Sequence, residues 1–129
     1  MKVDVERNKQ SLIFRFTLEE NDIETPNEKF SMGRKEAILR TSEHDLEEVH
    51  PDLLALSSIL ICSPFVGDEL KLGFSPSQHF IEEANSILSR YKLVSDCDDS
   101  PAERREMVRR PSPGLAFSGG VDSTAAICV

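Results

Sequence analysis

The stretch Pro113-Gly-Leu-Ala-Phe-Ser-Gly-Gly-Val-Asp-Ser-Thr-Ala-Ala126 constrains the fold of this chain more than any other. Leu115, Ala116 and Phe117 form a short apolar run after the loop-makers Pro111, Pro113 and Gly114, which predicts a buried strand. Ser118, Gly119 and Gly120 make a turn. Asp122, Ser123 and Thr124 are N-cap and first-turn residue types, and Ala125, Ala126 and Ile127 continue a helix.

A strand, a glycine turn and a helix start together favour an anion. The first N–H groups of a helix lack intrahelical partners, and the helix dipole leaves partial positive charge there. Glycines keep side chains out from between those N–H groups and a ligand. The product is a cradle for phosphate oxygens, with hydroxyl donors from Ser118, Ser123 and Thr124. Asp122 would repel a phosphate directly, so its placement calls for a bridging cation such as Mg²⁺. Two familiar phosphate loops do not fit. A Walker loop needs Gly-Lys-Ser/Thr, but Val121 and Asp122 follow Gly120; the dinucleotide fingerprint needs spaced glycines, and these are adjacent.

Ser118-Gly-Gly-Val-Asp-Ser123 resembles the S-G-G-x-D-S signature of the PP-loop ATP pyrophosphatase superfamily, the adenine nucleotide alpha hydrolase-like group. That family includes GMP, NAD, asparagine and argininosuccinate synthetases, tRNA thiolation and lysidine synthases, and sulfur transferases. The resemblance covers Gly114 to Ile127. Five fixed positions coincide by chance in on the order of one in several thousand chains of this length, so the match outweighs a bare Ser-Gly-Gly turn.

The resemblance implies ATP and Mg²⁺ as cofactors. Ser118, Gly119, Gly120, Ser123 and Thr124 would bind the nucleotide, with Asp122 beside the metal. ATP would be cleaved between its α- and β-phosphates to adenylate a substrate, which ammonia, an amine or sulfur then attacks. The acceptor, a small molecule or a tRNA, is left open by the sequence, as is the oligomeric state. Two alternatives stay open: a module whose loop binds nucleotide or a partner without chemistry, and a truncated remnant without activity.

The expected fold class is α/β. An α+β region of unassigned role occupies about 1–95 and a linker about 96–112. Residues 113–129 supply the first strand and the start of the first helix of a Rossmann-like PP-loop domain. Such a domain needs roughly 120 residues, whereas only Thr124 to Val129 follow Ser123. The expectation is therefore an N-terminal part of a longer enzyme, inactive alone.

Within 1–95, Val3 and Val5, and then Leu12, Phe14, Phe16 and Leu18, alternate as strands do around a turn at Arg7–Gln10; Ile13 breaks the pattern. Residues 36–41 form a further short strand, and 42–49 an acidic loop or helical turn. Pro51 and Asp52 open a helix that Ser63-Pro64 stops. Its six leucines and isoleucines (Leu53, Leu54, Leu56, Ile59, Leu60 and Ile61) predict burial on most sides. Leu70, Leu72 and Phe74 alternate as a strand. Ser75 and Pro76 start a second helix carrying Phe80, Ile81, Ala84, Ile87 and Leu88, and Tyr91 to Val94 is a brief strand.

The net charge of −8 argues against a generic nucleic-acid or membrane surface. No run reaches the length of a membrane span and the first residues have no signal core, which points to the cytoplasm. Cys62, Cys97 and Cys128 lack C-x-x-C spacing, against a disulfide framework or a zinc site. His44 and His50 sit among acids in what reads as a solvated loop rather than a metal cluster, and His79 as a surface residue. Arg104, Arg105, Arg109 and Arg110 read as a solvated charge run ahead of the motif.

Overall fold

The computed structural model describes residues 1–29, 31–42, 45–97 and 100–103. Seven elements follow one another: β1 (Lys2–Asn8), β2 (Ser11–Thr17), β3 (Glu36–Arg40), α1 (Pro51–Cys62), β4 (Glu69–Leu72), α2 (Gln78–Ile87) and β5 (Lys92–Ser95). They form one five-stranded mixed sheet in the order β3-β2-β1-β4-β5. The protein is thus mixed α/β.

β1 and β2 pair antiparallel from Lys2↔Thr17 to Asn8↔Ser11, leaving only Lys9 and Gln10 in the hairpin loop. The turn is shorter than the Arg7–Gln10 expected. The side-chain oxygen of Asn8 accepts from the backbone N–H groups of Gln10 and Ser11, which closes the loop and lets the ladder run on through Arg7. β3 adds antiparallel to β2. β4 then lies parallel to β1, and β5 parallel to β4. Parallel neighbours need crossovers, and α1 and α2 supply them.

Strand alternation sorts the sheet into two faces. One carries Val3, Leu12, Phe14, Phe16, Leu70, Leu72 and Leu93, all buried. The other carries Lys2, Asp4, Glu6 and Arg15, with an Arg15–Glu6 ion pair at 2.8 Å. Ile13 breaks the alternation because it lies on this second face, between Glu6 and Ile38 in the ladders. Both helices cover the apolar face. α1 buries Leu54, Ala55, Ser58 and Cys62 in the same core, and α2 lays Phe80 and Ala84 against it, with Leu88 at its C-cap. Each fully buried leucine contributes about 1.5–3 kcal/mol.

Two expectations about the helices are corrected. α1 is not buried on most sides: Leu53, Leu56 and Leu60 are 58%, 43% and 73% exposed. Both of its faces are apolar, and the sheet covers only one. α2 is capped by Ser77, not Ser75, and begins at Gln78 instead of Pro76. Ser77 Oγ accepts from the Phe80 N–H at 3.2 Å, while Ser75 faces Ser95 at 3.2 Å.

Candidate functional site

Ser118, Gly119, Gly120, Asp122, Ser123 and Thr124 lie outside the described residues, as do His44, Cys128 and the four arginines of 104–110. What the structure establishes is the surface from which the segment carrying them departs.

That surface is built at the carboxyl ends of β4 and β5. Ser95, the last residue of β5, donates its hydroxyl to the Phe74 carbonyl just past β4. Three residues after Phe74, Ser77 caps α2. Asp52, in the first turn of α1, accepts from the Ser77 N–H at 2.7 Å and from the Ser77 hydroxyl at 2.8 Å. The two helix N-termini are thereby tied together. A carboxylate suits both, because each presents unpaired N–H groups and partial positive charge. His50 caps α1: its Nδ1 accepts from the Asp52 N–H at 3.2 Å. That leaves Nε2 to donate, and it lies 3.0 Å from the Glu103 carbonyl oxygen. The chain therefore leaves for its last 26 residues beside the N-terminus of α1.

His50, Asp52 and Ser77 carry the residue types of a hydrolytic triad but not its geometry. The serine hydroxyl donates to the aspartate, not to the imidazole, and it also accepts from Phe80. Ser77 is 2% exposed and so offers no nucleophile to a substrate. The cluster is a fold-holding network.

A cleft of about 960 Å³ opens at the other end of the parallel strands, lined among others by Met1, Glu19, Asp22, Lys71, Arg90 and Tyr91. Its charged groups are largely turned on one another. The Met1 ammonium lies 2.9 Å from Asp22 and donates to the Glu69 carbonyl at 2.7 Å. Lys71 pairs with Glu19 at 2.8 Å. Arg90 donates to the carbonyls of Pro64 and Val66. Burial pushes the Asp22 carboxyl up, but N–H donors from Glu19 and Gly67 and the Met1 ammonium outweigh it, so the pKa lies below the usual value. The hydrogen bond from Lys71 likewise lowers Glu19. The Tyr91 hydroxyl is buried without a hydrogen-bond partner among the described residues. Sequence reading missed this cleft, because its walls come from separate segments and no spacing announces it. The acidic run 19–22 is the one trace of it.

The remaining candidates stand as follows. His79 is exposed. Cys62 is fully buried, and burial pushes its thiol up to about 12, so it is a core residue and not a reactive one. Cys97 is half-buried. Among the described residues no three of His, Cys, Asp and Glu come together in a group that could hold a metal. Among them, too, no helix is long and apolar enough to cross a membrane. Comparison with protein-family models, with curated proteins and with solved structures gives no match.

Proposed function

We propose that the chain carries the nucleotide loop of a PP-loop ATP pyrophosphatase, an enzyme that forms AMP and pyrophosphate while adenylating an acceptor. The observation that carries this is Ser118-Gly-Gly-Val-Asp-Ser123 with its apolar lead-in and helix-forming continuation. The fold is compatible with it.

In this reading the N–H groups of Gly119 and Gly120 and the hydroxyls of Ser118, Ser123 and Thr124 hold the β- and γ-phosphates. Asp122 and neighbouring hydroxyls are hard oxygen donors of the kind that suits Mg²⁺, which when bound neutralises phosphate charge. An acceptor oxygen attacks the α-phosphorus, the α–β bridging bond breaks, and pyrophosphate leaves with the electron pair. Ammonia, an amine or sulfur then displaces AMP from the adenylate. The loop's part is to position the displacement and stabilise its charge. The chemistry sits in the cytoplasm and needs no membrane.

The test uses the full product of the reading frame that encodes this chain. Ser123→Ala and Asp122→Ala are expected to lower Mg²⁺-dependent pyrophosphate release strongly while leaving the fold intact. Wild-type rates in both variants remove the assignment. Nucleotide binding without pyrophosphate release supports the rival reading, a loop that binds phosphate without chemistry.

A further inference from the structure

The sheet ends at β3 on one side and at β5 on the other, and the two edges differ. At β5 the edge is closed. Lys92 and Asp96 donate their N–H groups to the Asp68 and Leu72 carbonyls on the β4 side, so Leu93, next to Lys92, turns its backbone away from β4. The Asn85 amide of α2 covers it: Oδ1 accepts from the Leu93 N–H at 2.8 Å, and Nδ2 donates to the Leu93 carbonyl at 2.9 Å. At β3 the edge is open. The Phe16 N–H donates to the Lys35 carbonyl at 2.8 Å and the Thr41 N–H to the Gln10 carbonyl at 3.0 Å, so residues 35, 37, 39 and 41 are the ones that bond β2. Glu36, Ile38 and Arg40 therefore turn their N–H and C=O groups outward, and no described residue pairs with them. Ile38 and Leu39 are 46% and 53% exposed at this edge. β3 holds neither proline nor lysine, two residues that commonly blunt a free strand.

We infer that β3 is the interface of a homodimer: it pairs antiparallel with β3 of a second copy, about a two-fold axis at Ile38, and joins the two sheets into one. Three observations select that occupant and that register. The backbone groups match. On this axis Ile38 faces Ile38 of the second copy and Glu36 faces Arg40 of the second copy, so every outward N–H meets an outward C=O.

The charges match as well. Glu-Ala-Ile-Leu-Arg is its own complement when reversed: Glu36 lies opposite Arg40 of the second copy, and the axis makes the contact twice. Opposite charges directly across a ladder attract. A shift of two residues loses this. In one direction it sets Arg34 against Arg40, and in the other it leaves Glu36 opposite Ser42. Finally, the apolar side chains match. Ile38 meets Ile38 on one face, and Leu39 meets Ala37 on the other, which covers both exposed residues. Five residues a side make a small interface, so the dimer is expected to be weak, in the micromolar range. The inference does not depend on ATP chemistry.

Sedimentation equilibrium of the whole 129-residue chain, from about 1 µM to about 1 mM in about 0.15 M salt, tests this. The wild type is expected to pass from 14.5 kDa to twice that mass as concentration rises. Glu36→Arg sets like charges against Arg40, and Arg40→Glu sets like charges against Glu36. Both side chains are exposed, so the fold is expected to survive either change. Each variant alone should raise the dissociation constant about tenfold or more. An equimolar mixture of the two variants restores opposite charges between unlike chains, and should dimerise as the wild type does. That recovery also shows that neither variant is merely misfolded. A wild type that stays at 14.5 kDa throughout overturns the inference. So do single variants that associate like the wild type, which puts the contact on another surface, and a mixture no tighter than its components. None of these outcomes bears on the nucleotide reading, whose test is pyrophosphate release.

Discussion

The carboxylate of Asp52 in the first turn of α1 holds both the N–H and the hydroxyl of Ser77, the N-cap of α2, at 2.7 and 2.8 Å. Ser77 is almost wholly buried. Removing Asp52 therefore strands a buried donor instead of merely deleting a bond. Asp52→Ala is expected to cost about 1–3 kcal/mol in urea unfolding, and Ser77→Ala about 0.5–2 kcal/mol through the lost cap. Because the residues share one network, the double variant should cost measurably less than the two singles combined. Strict additivity contradicts the network.

Asp22 links acid stability to the Met1 ammonium. Its folded pKa lies below the usual 3.8. Its contribution is therefore fully present above that value and is lost as pH falls through the lower folded pKa. Acid unfolding should begin below about pH 4, and Asp22→Asn should reduce that part of the pH dependence while lowering stability at pH 7. An unchanged acid limb in the variant contradicts the ion pair. The measurement is the urea midpoint from pH 2 to 7.

Those two relationships show what was legible in the sequence and what was not. Pro51 and Asp52, with Ser63-Pro64 beyond, mark the ends of α1 through local chemistry, and the structure bears them out. Which leucines turn inward was not legible. With both faces apolar the periodicity has no phase, and only the position of the sheet supplies one. Ser75-Pro-Ser77 offers two caps, and a carboxylate 25 positions upstream belongs to the chosen one. Alternation of Leu12, Phe14 and Phe16 revealed β2, and of Leu70 and Leu72 β4, but strand order is a long-range property that alternation does not encode. The motif residues 118–124 remain a sequence argument, since they lie outside the described residues.

Gly67, in the turn before β4, has no room for a side chain. A Cβ there would run into the Asn21 carbonyl oxygen, which belongs to backbone and cannot swing aside. The Gly67 N–H also donates to Asp22 at 2.9 Å. Gly67→Ala is expected to destabilise by about 1–3 kcal/mol, the range of an overpacked site, and to weaken the Met1–Asp22 pairing with it. A neutral effect on thermal unfolding shows that this turn is looser than described.

Tyr91 gives the opposite sign. Its hydroxyl is buried with no partner among the described residues, so Tyr91→Phe removes a desolvated group and keeps the ring. Stability should stay level or rise by up to about 1 kcal/mol. A loss of that size in urea unfolding means the hydroxyl has a bonding partner in solution.

The measurement closest to the central claim is product analysis with ATP labelled at the α-phosphate, Mg²⁺ and the full product of the encoding frame. Labelled AMP, with pyrophosphate in equal amount and lost in Asp122→Ala, is the predicted result. Labelled ADP with inorganic phosphate, or no ATP binding at all, contradicts a PP-loop at Ser118–Ser123.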